Sequence, residues 1–147
     1  MRRRTALPAV VVLACAVASS GCSSSGSRLS LDDGTAVFVG AKYSGDVPAI
    51  GVPGTIVQLD GGCWGLDDGG SDPDVLVLEH GTTVSEDGGG VVTPDGVELH
   101  VGDDIYGGSG GGGIADNGLV EQWREELPAC FSGRGLAAVS YIDPLEP

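Results

Sequence analysis

Six short apolar runs constrain the fold of this chain more than any other feature of its sequence. Each run is rich in β-branched or aromatic residues and is bounded by Gly, Pro or Asp. Runs of this length and punctuation are typical of β-strands, whereas a helix needs a longer amphipathic stretch. They occupy residues 36–39, 55–59, 75–78, 97–101, 104–106 and 136–142. The run at 75–78 lacks alternation, which predicts a strand buried on both faces.

The tetrapeptide Thr-Pro-Asp-Gly at 93–96 predicts a tight turn between two strands. Pro fixes φ near the value that the second turn position needs, and Gly accepts a positive φ at the fourth. A hairpin should therefore connect residues 91–92 to the run 97–101. Alternation along that second strand predicts that Leu99 and Val101 face the core and that His100 faces water.

Residues 118–127 break the strand pattern and predict one short helix. Leu119, Trp123 and Leu127 recur every four residues, which places them on one helix face. Pro128 cannot continue the hydrogen bonding and ends the segment. Strands and helix together predict a mainly β domain, a small barrel or sandwich of about five to seven short strands with one short helix. A helix late in a run of strands loosely resembles an OB-type barrel, although that fold has fewer strands before its helix.

The chain is strongly acidic, with 21 Asp and Glu residues against 7 Lys and Arg and a net charge of −14. Nucleic-acid binding needs basic residues that displace counterions from phosphates, so we expect no nucleic-acid partner. A length of 147 residues predicts one domain.

The N-terminus carries the parts of a secretory signal. Residues 2–4 are Arg, and residues 6–18 form an apolar run of 13 residues interrupted by Pro8. This run is too short to span a membrane, which takes about 20 residues. Ser19-Ser20-Gly21-Cys22 follows, and these small residues before a cysteine resemble the lipobox of a bacterial lipoprotein precursor.

That resemblance implies cleavage before Cys22 and attachment of lipid, such as palmitate, to this residue. The family usually has Leu three residues before the cysteine, and this chain has Ser19 there. Cys15 is a rival acceptor, but its use would leave the apolar segment too short. The implied parts are a signal peptide at 1–21, a flexible tether at 22–28 and a single acidic β-rich domain at 29–147. The mature domain is similar to small lipoproteins of high-GC bacteria, which share no common function.

The remaining cysteines follow from the same resemblance. Removal of Cys15 with the leader and lipidation of Cys22 leave Cys63 and Cys130 in an oxidising compartment, which predicts one disulfide. The alternative is two separately buried free thiols.

Carboxylates and histidines raise the question of a cation site. The aspartates at 67–74 are dense enough to invite Ca²⁺, which prefers oxygen ligands. His80 follows Glu79 and His100 lies two residues after Glu98, so imidazoles and carboxylates from separate strands could converge on Zn²⁺. Neither the EF-hand pattern nor HExxH is present. We therefore expect solvated acidic loops, solvent-facing histidines, no metal site and no cofactor.

The glycine-rich residues 107–113 match two catalytic patterns without their context. A nucleophile elbow at Ser109 would need a His after it in the chain, and both histidines precede it. The dinucleotide-type glycine spacing lacks a surrounding βαβ unit. We expect a mobile loop here and no catalytic residues in the domain.

The sequence thus predicts a lipid-anchored binding or structural module on the extracytoplasmic face of the bacterial cell membrane. Its partner would be an envelope protein or a cell-wall component, bound through the loops at 67–74 and 107–113. The alternative is a secreted cation-binding protein that holds Ca²⁺ or Zn²⁺ with the Asp clusters and His80 or His100. A small secreted hydrolase is the third hypothesis.

Overall fold

The computed structural model describes residues 26–42, 50–70, 72–109 and 117–144. Strands dominate these ranges, which confirms a mainly β domain. The strands are β1 (Ser27–Ser30), β2 (Ala36–Val39), β3 (Ile50–Leu59), β4 (Cys63–Asp67), β5 (Asp74–Leu78), β6 (Thr83–Val84), β7 (Val91–Val92), β8 (Glu98–Leu99), β9 (Asp104–Ser109) and β10 (Leu136–Pro144). The helices are α1 (Asn117–Glu126) and α2 (Pro128–Phe131).

Seven strands form one mixed sheet in the order β1-β2-β4-β3-β9-β10-β5. β3 pairs antiparallel with β4 and β9, and β9 pairs antiparallel with β10. β5 pairs in parallel with β10 and β2, and antiparallel with β4. Because β5 joins the end of this order to strands near its start, the sheet folds over into a sandwich-like body. The likeness to an OB-type barrel stays a prediction.

The run at 75–78 is the most buried strand segment, as its lack of alternation predicted. Its four side chains are 0% exposed. Val75 and Val77 point to one face of the sheet, and Leu76 and Leu78 point to the other. Each face of β5 therefore belongs to a separate apolar cluster.

The two clusters lie on opposite faces of the large sheet. The helix-side cluster adds to Val75 and Val77 the residues Ala36, Phe38, Leu59, Cys63, Val120, Trp123, Cys130, Phe131 and Ala138. The hairpin-side cluster adds to Leu76 and Leu78 the residues Leu31, Val37, Ile56, Trp64, Leu66, Val91, Leu99, Ile105, Val139 and Ile142.

Helix α1 confirms the prediction for 118–127 to within one residue at each end. Trp123 on the apolar face of α1 packs against Phe38 of β2, with ring centroids 4.8 Å apart. The ring of Phe131 also packs against Phe38, at 5.2 Å. The expectation of a single helix was wrong. Pro128 ends α1 but also begins α2, because the first turn of a helix has no internal use for the N–H that Pro lacks.

A disulfide joins Cys63 at the start of β4 to Cys130 in α2, with Cα atoms 6.1 Å apart. The predicted pairing is confirmed. Gly61 lies directly under α2, where a Cβ would collide with the backbone of Cys130. The bridge therefore holds the helical segment against the turn between β3 and β4.

The predicted hairpin forms the core of a second, three-stranded sheet in the order β6-β7-β8. Thr93 N–H donates to Val97 O at 2.9 Å, and Gly96 has a φ of 82°. The strand ends earlier than predicted, because His100 and Asp103 close a turn. The N–H of His100 donates to Asp103 Oδ2 at 2.7 Å. Val101 is therefore 48% exposed, and its predicted place in the core was wrong.

The expected loop at 107–113 is partly a strand. Gly107, Gly108 and Ser109 belong to β9, which pairs with β3 and β10. A Cβ at Gly107 would collide with Cγ1 of buried Val139, so this position accepts only glycine without movement of the core. Residues 110–113 lie outside the described ranges.

The N-terminal segments are placed only in part. β1 begins at Ser27, inside the predicted 22–28 tether, and pairs with β2. Residues 1–25, with the signal peptide and Cys22, lie outside the described ranges. In the ranges that are described, no helix is both long and apolar enough to span a bilayer.

Gly107 and Gly108 offer a matched pair of substitutions. Gly107→Ala should lower the free energy of unfolding by about 1–3 kcal/mol, because the stiff side chain of Val139 leaves no room for a methyl group. Gly108→Ala should change it by less than about 0.5 kcal/mol, since its nearest neighbour, Ser140 O, lies at 3.4 Å. Urea unfolding of both variants measures the difference, and equal stabilities would contradict the inward orientation of Gly107.

The disulfide closes a separation of 67 residues. Removing it by Cys63→Ala with Cys130→Ala should cost about 4 kcal/mol, mainly from the regained freedom of the unfolded chain. Urea unfolding measures this loss, and the wild type in a reducing agent should show a similar one. A midpoint unaffected by both treatments would show that the bridge does not form in solution.

Candidate functional site

The small sheet brings together one histidine and two carboxylates. Glu98 lies in β8, His100 follows that strand, and Asp87 lies in the 85–90 loop between β6 and β7. Since Val91 pairs with Leu99, the next position on each strand sets Gly90 beside His100. This register brings the 85–90 loop, with Asp87, close to the imidazole of His100.

His100 Nε2 lies 3.7 Å from Asp87 Oδ2 and 3.7 Å from Glu98 Oε1. One ligand atom from each of these residues lies within 4.8 Å of the others. The side chains are 41%, 63% and 54% exposed for His100, Asp87 and Glu98. The group is therefore open to ions from solvent. We call it the Asp87–Glu98–His100 cluster.

The 85–90 loop fixes Asp87 through its own hydrogen bonds. Asp87 Oδ1 accepts from the Ser85 hydroxyl at 2.5 Å and from Gly89 N–H at 3.0 Å. The Ser85 hydroxyl oxygen also accepts from Gly90 N–H at 3.0 Å. With Oδ1 occupied in this way, Oδ2 is the oxygen directed at His100.

These contacts favour the ionised form of Asp87. The Ser85 hydroxyl, then Gly89 N–H and the nearby His100 hold the pKa of Asp87 below its usual value of 3.8. The Ser85 hydroxyl donates to Asp87 and not to His100. Ser85 and His100 therefore do not form the nucleophile–base pair that a serine hydrolase uses. Carboxylate oxygens and imidazole nitrogens are atoms that can ligate a metal ion.

Glycine at position 90 is required by the Leu99 carbonyl, and its missing side chain leaves room for the imidazole. A Cβ there would lie 2.7 Å from both Nε2 and Cδ2 of His100 and 2.5 Å from Leu99 O. The Nε2 and Cδ2 atoms of the ring therefore lie close to Gly90. This contact limits where Nε2 can point.

The predicted aspartate site at 67–74 is only partly assembled. Asp67 and Asp68 each accept a backbone N–H two residues further on, from Gly69 and Gly70. Asp74 accepts from Gly135 N–H at 3.1 Å, which ties β5 to the start of β10. Among the described residues, these aspartates do not form a group of three whose ligand atoms meet.

Asp67 and Asp68 do share an open cleft with a residue far from them in the chain. Asp104 of β9 joins them there, and its carboxylate accepts from the Thr55 hydroxyl at 2.5 Å. The cleft has a volume of about 350 Å³ and is completed by Pro53, Gly54 and Gly69. The cleft is acidic, and residues of β3 form one of its sides.

His80, the other predicted histidine, is partly buried in a turn and is not part of the cluster. Its neighbour Glu79 is half-buried. Burial, followed by repulsion from Asp95, raises the pKa of Glu79 above 4.5, although the Tyr141 backbone favours the ionised form. Among the described residues, Glu79 Oε1 has no hydrogen-bond partner.

The sequence indicated Glu98 and His100 as neighbours but missed Asp87. The available signal was Ser85-Glu86-Asp87-Gly88-Gly89, in which Ser and Asp flank glycines as they do in tight turns. That signal predicts a turn and not its location. Only the hairpin register, which sets Gly90 beside His100, places this turn over the imidazole.

Comparison with known proteins adds no relative. No family model, curated protein or solved structure matches this chain. Its proposed function therefore depends on its own residues.

The raised pKa of Glu79 predicts that replacing this residue changes the stability of the protein in a pH-dependent way. Because its pKa is raised in the folded state, the folded protein loses stability relative to the unfolded chain as pH rises from about 4.5 through the folded-state pKa. Glu79→Gln should therefore melt higher than wild type at pH 7 and equally near pH 4. Glu86→Gln removes a charge from an exposed site and serves as the control for net charge. A Glu79→Gln effect no larger at pH 7 than that of Glu86→Gln would refute the burial cost.

Proposed function

We propose that this protein is a lipid-anchored binding or structural module on the extracytoplasmic face of the bacterial cell membrane, with Cys22 as its lipidated N-terminal residue. The observation that carries the proposal is the tripartite N-terminus. Basic residues 2–4, the apolar run 6–18 and the small residues 19–21 lead directly to this cysteine.

The disulfide supports an extracytoplasmic location. Cys63 and Cys130 are bonded to each other, and structural disulfides persist in oxidising compartments. Their pairing leaves Cys22 as the odd cysteine of a chain cleaved before it. Lipidation would engage that remaining thiol.

The proposed anchor keeps the domain near the membrane. From Cys22 to the first residue of β1, Ser27, an extended chain reaches only about 17 Å. Cleavage before Cys22 removes the three arginines and leaves a net charge of −17, so an anionic lipid surface repels the domain. The tether and the charge together favour a domain that faces outward to the envelope.

The acidic cleft at Asp67, Asp68 and Asp104 is the region best suited to recognition. It is concave, bordered by β3 and negatively charged, which suits an envelope protein or cell-wall component with exposed basic groups. The glycine loop 107–113 is a weaker candidate than the sequence indicated, because its first three residues pair within the sheet. That the domain is not an enzyme stays a prediction.

Substitution of the leader cysteines tests the anchor. Cys22→Ala should release the protein from the membrane fraction or leave it as an unprocessed precursor, because no cysteine then remains at the cleavage site to carry acyl chains. Cys15→Ala is the matched control and should leave anchoring and processing unchanged. Membrane fractionation with mass spectrometry of the mature N-terminus provides the measurement. Retention that depends on Cys15, or on neither cysteine, contradicts the proposal.

A further inference from the structure

We propose that the Asp87–Glu98–His100 cluster binds a divalent transition-metal ion, with Zn²⁺ as the best-matched ion. His100 Nε2, Asp87 Oδ2 and Glu98 Oε1 would be its three protein ligands, and water would take the fourth position. This site is independent of the lipid anchor.

The distances from His100 Nε2 to the two carboxylates are close to those around a tetrahedral ion. Zn²⁺ binds imidazole nitrogen and carboxylate oxygen at about 2.0–2.2 Å, so two ligands of one tetrahedral ion lie about 3.4 Å apart. His100 Nε2 stands 3.7 Å from each carboxylate. Because the three ligand atoms lie within 4.8 Å of one another, no pair has to close by more than about 1.4 Å to hold the ion. Exposed carboxylates can make this movement by side-chain rotation.

The donor set discriminates between classes of ion. Ca²⁺ takes six to eight oxygen ligands, and an imidazole nitrogen occupies a position that it does not use well. Zn²⁺ and its transition-metal neighbours bind imidazole and carboxylate together. One nitrogen and two oxygens therefore favour the transition metal over the Ca²⁺ suggested by the aspartate clusters.

Two ligands are positioned before any ion arrives. Asp87 is oriented through the hydrogen bonds to its Oδ1, which leave Oδ2 free to face the imidazole. The backbone N–H of His100 donates to Asp103, and its ring lies close to Gly90. Partners of this kind orient ligands and raise metal affinity.

The surrounding charge attracts a cation to this site. Asp103 lies beside the backbone of His100. The Asp32 carboxylate lies against Gly88, in the 85–90 loop that also holds Asp87. The potential of several carboxylates raises the local cation concentration at an open surface. A bound ion would tie the 85–90 loop to the end of β8.

The experiment is a calorimetric titration of the purified mature protein with Zn²⁺, with Ca²⁺ as a parallel titrant. His100→Ala should weaken Zn²⁺ binding by at least about tenfold. Asp87→Asn keeps Oδ1 for Ser85 and Gly89 but replaces the ligand oxygen, so it should weaken binding by a similar factor without disturbing the loop. His80→Ala is the matched control and should bind as wild type does. Circular dichroism confirms that each variant folds.

A second readout locates the ion. Zn²⁺ should shift the imidazole resonances of His100 in NMR spectra and leave those of His80 in place. The proposal is overturned if the wild type does not bind Zn²⁺, or if it binds Ca²⁺ with the same affinity as Zn²⁺. It is also overturned if the folded Asp87→Asn and His100→Ala variants bind Zn²⁺ as tightly as the wild type does.

Discussion

The burial of β5 on both faces is the constraint on which the rest of the domain depends. A strand with four fully buried side chains in succession needs apolar partners above and below and hydrogen-bonded strands on both edges. The edges are provided by β10 on one side and by β2 and β4 on the other. The helices cover one face, and the small sheet contributes Val91 and Leu99 to the cluster on the other. The small sheet therefore has its position because the second face of β5 has to be covered.

Turn formation accounts for four of the 21 acidic residues, two of them in the 67–74 segment that raised the question of a cation site. Four aspartates accept a backbone N–H two residues further on, and each of them stabilises a turn where the chain reverses between short strands. They are Asp33, Asp67, Asp68 and Asp87. A domain of many short strands needs many such turns, so a high Asp and Gly content follows from the architecture. Asp87 differs because its second oxygen also faces an imidazole.

The sequence predicted the elements whose signals are local. The run 75–78, the turn 93–96 and the helical stripe at Trp123 each depend on neighbouring residues, and each was correctly placed. β4 was missed because Gly65 interrupts its apolar pattern. That glycine is needed because a Cβ would lie 2.9 Å from Asp74 O on β5, a contact that no local pattern contains. Asp87 was missed at the candidate site for the same reason, since only the strand register brings it to His100.

The disulfide and the proposed ion would stabilise different halves of the molecule. The bridge fixes α2 to the start of β4 and so closes the helix-side cluster. The small sheet has strands of only two residues, and such short pairings are marginal without outside support. Its support comes from Val91 and Leu99 in the core and from the bond between Asp32 N–H and Gly88 O, at 3.0 Å. An ion held by Asp87, Glu98 and His100 would add a cross-link between the 85–90 loop and the end of β8. Binding there would stabilise the small sheet without rearranging the large sheet.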